Sequence, residues 1–537
     1  MALEFVKNGI KRITQFITGK KDPTQGTRIV INCEKLENRV ALLENGILEE
    51  YSVERVGTTH LVGSIYKGRI KNIEQGLKAM FVDIGLEKNA FLHFWDAIPE
   101  ALNTQAMEEV SRGGKGGQKK KSINAKDIPD LYPVGSEILV QITKGPVGNK
   151  GPRVTTNISL AGRLLVLMPQ NESCGISRKI DDPKERTRLR RIIEGLSLPE
   201  GMGIILRTEA SGKRTRHIVR DLSILLEQWK DIAARRDSQK APCCCFEEPD
   251  IFERTVRDFL TEDLDEIVCD DPATVDRMKE LVAPISRRAQ RRITLFNGPG
   301  ALFEKYNVQR QIDTAFYRQV WLKCGGYIVI DQTEALIAID VNTGRNKGSG
   351  QNVDKVILQT NMEAAAEVAR QLRLRNMGGL VVVDFIDMKH GKDRSAVYKS
   401  MVDHTQRDKA KTQILQISQF GLMEMTRQRL HESLSDAMFE ECAHCKGHGQ
   451  IKTPLTMSVE IQRRLTSVLA RLPENNRDVV VVIHPDVMQR LRSSDDQILV
   501  DLERKYQARL TFRTDPTYMR EQVLLANSKT GEEIKLA

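Results

Sequence analysis

Three residues in one stretch of the chain have the types and spacing of a metal-assisted hydrolytic site. Asp340 ends the run LIAID with Asn342 two residues further on, and Asp384 stands within the apolar run VVVDFI. A carboxylate in such a run is costly unless a cation or several donors meet its charge. If the two runs are neighbouring strands, Asp340 and Asp384 can share a Mg²⁺. That ion takes oxygen ligands and keeps several waters, leaving positions for a substrate phosphate and a nucleophilic water. The two-residue period of a strand puts Asn342 on the side of Asp340, from which it would orient Asp384. Asp387 points to the other face if its strand continues, so it ranks second. The plain alternative is a set of acids capping turns.

The elements that must position these acids are legible around them. GGYIVIDQTEALIAIDVN reads as strand, turn and strand, and a GRNKGSG loop follows. Asn361 to Arg375 keeps apolar residues at helical spacing and stops at Gly378 and Gly379, and Leu380 to Ile386 is again strand-like. Strand, helix, strand with acids at strand ends is the layout of an α/β nuclease core.

Other candidate sites lie on either side. Cys442-Ala443-His444-Cys445-Lys446-Gly447-His448-Gly449 is a knuckle whose two thiolates can grip one Zn²⁺. A second such pair is missing, so a symmetric partner would complete the tetrahedron and make a dimer; an intrachain site using His448 and another histidine is the alternative. Upstream, short alternating strands from Gly63 to Leu92 and from Glu137 to Thr143 read as an OB-fold barrel, with Phe81 and Phe91 as base-stacking platforms or core filler and Lys150 as a phosphate contact. GIILRTEASGK delivers Arg207 and Thr208 to a small-residue loop, where guanidinium and hydroxyl could meet one phosphate. Cys243, Cys244 and Cys245 read as linker.

Composition sets the frame. The chain has 537 residues, enough for several domains, and 82 Lys and Arg against 72 Asp and Glu give a net charge of +10. An apolar fraction of 40% excludes collagenous or wholly disordered chains, and no run is long enough for a membrane-spanning helix. Nine unevenly spaced cysteines fit a reducing cytoplasm. Residues 1–25 read as a basic amphipathic helix, packed on its own protein or in weak contact with a membrane surface. Ser111 to Lys126 reads as a mobile Gly/Lys-rich loop. Clusters at Lys184, Arg186, Arg188, Arg190 and Arg191, at Arg287, Arg288, Arg291 and Arg292, and at Arg370, Arg373, Arg375, Arg427 and Arg429 point to a polyanionic partner, most simply nucleic acid.

Taken together, IYKGRIKNIE, FVDIG, GNKG, ISLAGRLLVLMP, GISRKI, LPEGMGIILRT, QTEALIAIDVN, EVARQLRLRNMGGLVVVDFIDM, ISQFGLMEMTRQRL and CAHCKGHG resemble, in order and spacing, the RNase E/G family of endoribonucleases. The resemblance implies an α/β multidomain chain. Its parts would be an RNase H-like subdomain from 26–59 and 253–315, an OB-fold RNA-binding domain over 60–155 with an insert at 103–127, and a 5′-sensor region with connector over 156–252. A DNase I-like catalytic subdomain over 316–438, a zinc link over 439–452 and a small α/β dimerisation domain over 453–537 would follow. Asp340 and Asp384 would bind Mg²⁺ with Asn342 positioning Asp384, and Phe81, Phe91 and Lys150 would hold RNA. Arg207 and Thr208 would sense a 5′ monophosphate, and Cys442 and Cys445 would share Zn²⁺ with a second protomer in a dimer or dimer of dimers. The implied activity is cleavage of single-stranded RNA to 5′-phosphate and 3′-hydroxyl ends, in rRNA and tRNA maturation and mRNA decay. A non-catalytic RNA-binding scaffold is the competing expectation. The knuckle departs from the family in having Ala443 where proline is usual, and the absence of a long scaffold tail makes the chain look more like RNase G than RNase E.

Overall fold

The acids sit on a six-stranded sheet whose two faces differ. Its order is Gln319–Trp321, Tyr327–Gln332, Leu336–Asn342, Gly379–Asp384, Leu422–Arg427 and Thr412–Ile414. Strand alternation sends Ile328, Ile330, Ile337, Ile339, Val341, Val381, Val383, Met423 and Met425 into one buried layer. The helix Val353–Leu374 covers that layer with Ala364, Ala365, Val368 and Leu372, joined by helix Gly391–Thr405 through Val397 and Met401. The other face, where every second residue points, carries Asp340 and Asp384 in the open. Leu336–Asn342 and Gly379–Asp384 run parallel, as a strand–helix–strand crossover requires.

This computed structural model describes residues 26–57, 61–98, 107–109, 128–146, 150–180, 182–260, 264–283, 286–333, 335–345, 353–428 and 433–534. The N-terminal stretch 1–25, the run 111–126 and Arg429 lie outside them. The chain divides into two compact units after Ala437. No helix among the described residues is long and apolar enough to cross a membrane.

Within the first unit, strands Ile65–Glu74, Ala79–Asp83, Ala90–His93, Arg153–Thr155 and Glu137–Lys144 follow one another, and the last pairs back to the first. The result is a closed five-stranded barrel of OB-like form around Ile70, Met80, Val82, Leu92, Val140 and Val154. Cys243–Phe246 is a strand too, not a linker: it pairs with Ile65–Glu74 outside the ring and buries Cys245. A second sheet joins Thr27–Cys33, Glu37–Glu44 and Ile47–Arg55 to Leu264–Cys269 and Ile293–Leu295. A third holds Leu165–Pro169, Gly175–Ser177 and Met202–Leu206, and Met107–Glu109 from the edge of the insert adds to it. The second unit packs helices Pro454–Arg471, Pro485–Ser494 and Asp496–Tyr506 on a three-stranded sheet centred on Asp478–Ile483.

The arginines on and around the six-stranded sheet correct the reading of them as a polyanion surface. Arg370 pairs with Glu367 and donates to the Leu48 carbonyl, Arg373 pairs with Glu49, and Arg375 bonds Gln371 and the Tyr317 carbonyl. Arg427 is 3% exposed and locked to Asp408, itself 4% exposed. These cations tie sheets together.

Candidate active site

Asp340 and Asp384 are direct register partners on neighbouring parallel strands. Adjacent strands lie about 4.8 Å apart, so the two carboxylates leave the same face side by side. They stand at the C-terminal end of the strands, where open α/β sheets place their ligands. Asp384 is solvent-exposed rather than buried in its apolar run, because the strand ends with it. Partial burial and the facing charges of Asp340 and Asp387 push its carboxyl above the usual range.

The arrangement differs from expectation in two details. Asn342 donates from Nδ2 to Asp340 Oδ2 at 2.7 Å, so the acid it orients is Asp340 rather than Asp384. The chain also leaves the sheet after Asp384 instead of continuing to Ile386, which swings Asp387 to the same end as the pair. A β-carbon placed on Gly421 would lie 3.3 Å from Asp387 Oδ1 and 4.0 Å from Asp384 Oδ1, so both acids gather round that glycine. Gly421 has φ +80 and packs against the Phe385 carbonyl, both of which call for glycine.

Asn361 fixes the departing segment. It is fully buried on helix Val353–Leu374, donates to the Ile386 carbonyl at 2.8 Å and accepts from the Ile386 N–H at 3.1 Å. Sequence reasoning passed over Asn361 and Gly421 and ranked Asp387 second. The available signal for Asn361 was an amide on the apolar stripe of a helix, a position normally filled only when its hydrogen bonds are satisfied.

Among the described residues, no donor or cation meets Asp384 or Asp387. Converging, uncompensated carboxylate oxygens are the donor set of a hard divalent cation, so Mg²⁺ fits. Among the described residues the one group of three metal-ligating side chains within 4.8 Å of one another is Cys33, Cys269 and Asp270; the trio Asp340, Asp384 and Asp387 is spread more widely. There Asp270 Oδ1 accepts from the Cys33 N–H at 2.9 Å and Oδ2 from the Asn32 amide at 2.6 Å.

On the barrel, Phe81 and Phe91 are register partners with ring centroids 5.9 Å apart at 73°. Both are half-buried and stand outside the barrel core. Lys150 is exposed, three residues before Arg153, the register partner of Phe91. Arg207 and Thr208 adjoin as expected, but their polar groups are engaged. Arg207 donates to the Gly162 carbonyl at 2.6 Å and twice to Asp258 Oδ1 at 3.0 Å, and Thr208 donates to Glu209 at 2.9 Å. Burial would raise the Asp258 carboxyl, but Arg257, Arg207 and Lys409 outweigh it and hold it below the ordinary range. In the second unit the backbone amides of Cys445 and His444 bond to the Cys442 sulfur and hold its thiol below the usual value.

A model of the Ribonuclease E/G family matches residues 159–430. Ribonuclease G of Haemophilus influenzae is 35% identical over 92% of this chain and 98% of its own length. The chain belongs to the ribonuclease E/G family. A model of the thioredoxin-like domain of RNase E/G matches residues 441–528, a span that includes the knuckle. Ribonuclease G of Escherichia coli K12 is 34% identical over 92% of this chain and 98% of its own, and ribonuclease E of the same strain is 39% identical over 85% of this chain and 42% of its own. As a member of this family the chain is an endoribonuclease, a hydrolase of phosphodiester bonds.

Proposed function

We propose that this family member cuts single-stranded RNA with Mg²⁺ held by Asp340 and Asp384, leaving 5′-phosphate and 3′-hydroxyl ends. The observation that carries the reading is the register match of the two acids on one open sheet face. When bound, Mg²⁺ supplies Lewis acidity toward the phosphate and lowers the pKa of a water in its shell. The chain's own residues do the rest. Asn342 keeps Asp340 oriented, Asn361 holds the backbone that presents Asp387, and Gly421 leaves the face clear for a nucleotide backbone. Residues 316–438 would be the DNase I-like catalytic subdomain, and 26–59 with 253–315 an RNase H-like support. The RNAs in question would be rRNA and tRNA precursors and decaying mRNA.

Phe81, Phe91 and Lys150 would anchor the strand being cut. Arg207 and Thr208 would bind a 5′ monophosphate, which must compete with Asp258 and Glu209 for them. The decisive assay cleaves a labelled single-stranded oligonucleotide with and without Mg²⁺, for both 5′ end states. Turnover only with the ion, and faster from the monophosphorylated end, is expected; metal-independent turnover would sink the mechanism. In the same assay Arg207→Gln should narrow the ratio between the two ends several-fold, and an unchanged ratio removes Arg207 from sensing.

Cys442 and Cys445 would share Zn²⁺ with a second protomer. Metal analysis should then find about half a zinc per chain, the stoichiometry of one ion between two knuckles. Cys442→Ser with Cys445→Ser should lose the metal and sediment as a smaller species. An unchanged sedimentation coefficient would argue against the link.

A further inference from the structure

The open face of the catalytic sheet is bordered on both sides by exposed aromatic rings, and neither belongs to the sites described above. On one side Phe420 is 82% exposed in the loop that leads into Leu422–Arg427. It directly precedes Gly421, around which Asp384 and Asp387 gather. The loop is tied down: Ser418 N–H donates to the Leu422 carbonyl at 2.8 Å, Gly421 N–H to the Ser418 carbonyl at 3.2 Å, and Phe420 N–H to Ser418 Oγ at 3.3 Å. The exposed residue is thus held on a braced turn next to the glycine that the acids approach.

On the other side Trp321 is 56% exposed. Its register partner is Tyr327, and the partner of Tyr327 is Asn342, so one cross-strand row runs from Trp321 to the amide that holds Asp340. The Trp321 and Tyr327 rings meet edge to face at 5.3 Å. Arg345 N–H donates to the Gly325 carbonyl at 2.9 Å, folding the following loop back and setting the Arg345 guanidinium 5.8 Å from the centre of the Trp321 ring. Two strand spacings and one residue pair put this cluster roughly 12 Å from Asp340 along the face.

We propose that Phe420 and Trp321 are base-stacking platforms for the nucleotides on either side of the phosphate being cut, which rests on the acids being the hydrolytic site. The chemistry requires something of this kind. The centre of the face is negative and repels a polyanion until a cation arrives, so the flanking strand must be held by contacts that do not depend on that ion. Flat apolar rings accept any base, and Arg345 adds a cation at one end.

The test measures binding of a fluorescein-labelled single-stranded oligonucleotide to the full chain in EDTA, by anisotropy. Phe420→Ala and Trp321→Ala should each weaken binding about 5- to 150-fold, the range of one base–aromatic stack, while Phe420→Tyr keeps it. Both side chains are exposed, so circular dichroism should match the parent. Trp95 is exposed and Trp229 buried, so in a Trp95→Phe background the responsive emission is that of Trp321. RNA should quench it, and Trp321→Phe in that background should abolish the quench. Binding within twofold of the parent for both alanine variants, or RNA bound without any change in emission, overturns the proposal. So does sedimentation showing that these variants break an oligomer while RNA affinity stays the same, since the occupant would then be a second copy of the chain. Binding without divalent ion is independent of cleavage. If Asp340→Asn cuts like the parent while Phe420→Ala loses RNA, the acid assignment fails and the platforms stand.

Discussion

Replacing Asp340 or Asp384 by Asn is expected to lower cleavage roughly a thousand-fold or more while RNA affinity in EDTA stays near the parent's. Each substitution keeps the shape and removes one of the anionic oxygens on which a hard divalent ion depends. Because the acids are exposed at strand ends, neither change should unfold the sheet. The electrostatics give a second signature. Asp340 and Asp387 help to hold Asp384 above the usual carboxylate range, so Asp340→Asn or Asp387→Asn should bring its titration down. A carboxyl with a raised folded-state pKa favours folding below its unfolded pKa and loses that contribution as pH rises through the folded value, and either substitution relieves the loss. Asp387→Asn should also move the acid limb of the rate profile to lower pH, because Asp384 then ionises more easily. Full activity in the Asn variants would end the assignment, and an unmoved acid limb would remove Asp387 from the cluster.

The parts of this site legible in the sequence are those fixed by short periods. Alternation in LIAIDVN and the apolar run VVVDFI put both acids on strands, and the helical stripe between them makes those strands parallel, while their being neighbours was a condition that only the fold meets. The exact partnership of Asp340 with Asp384 needed the register, which the packing of Ile339 and Val383 against helix Val353–Leu374 selects. What the sequence hid depends on where a strand stops. VVVDFIDM looks continuous, yet the chain turns out after Asp384 because Asn361, distant in sequence, captures the Ile386 peptide. That one contact decides the face on which Asp387 lies. The arginines illustrate the same limit. As letters, Arg373 and Arg427 look like an RNA-binding stripe, and only the fold brings Glu49 and Asp408 to them. The membership of Cys243–Phe246 in the barrel sheet is also long-range, since its partner strand lies far upstream.

The buried pair of Arg427 and Asp408 leads to the largest expected effect on stability. Arg427 Nε donates to Asp408 Oδ2 at 2.6 Å and Nη2 to Oδ1 at 3.1 Å, while Nη1 donates to the Met377 carbonyl at 2.7 Å. Asp408 Oδ1 also accepts from the Ala410 N–H at 2.9 Å. Arg427 is opposite Gly379 at the far end of the strand pair from Asp384, so it braces the sheet without touching the reacting end. Asp408→Ala leaves a guanidinium buried with its partner gone, which costs about 3–5 kcal/mol. The first unit's calorimetric transition should fall by several degrees or more, and proteolysis of that unit should accelerate. A buried ion pair also carries a desolvation cost, so an apolar pair of similar volume is often as stable. Asp408→Leu combined with Arg427→Met should therefore recover much of the loss. A single Asp408→Ala variant melting with the parent would mean that the pair contributes little. A double variant no better than the single would mean instead that the Met377 and Ala410 hydrogen bonds, rather than the charges, hold this end of the sheet.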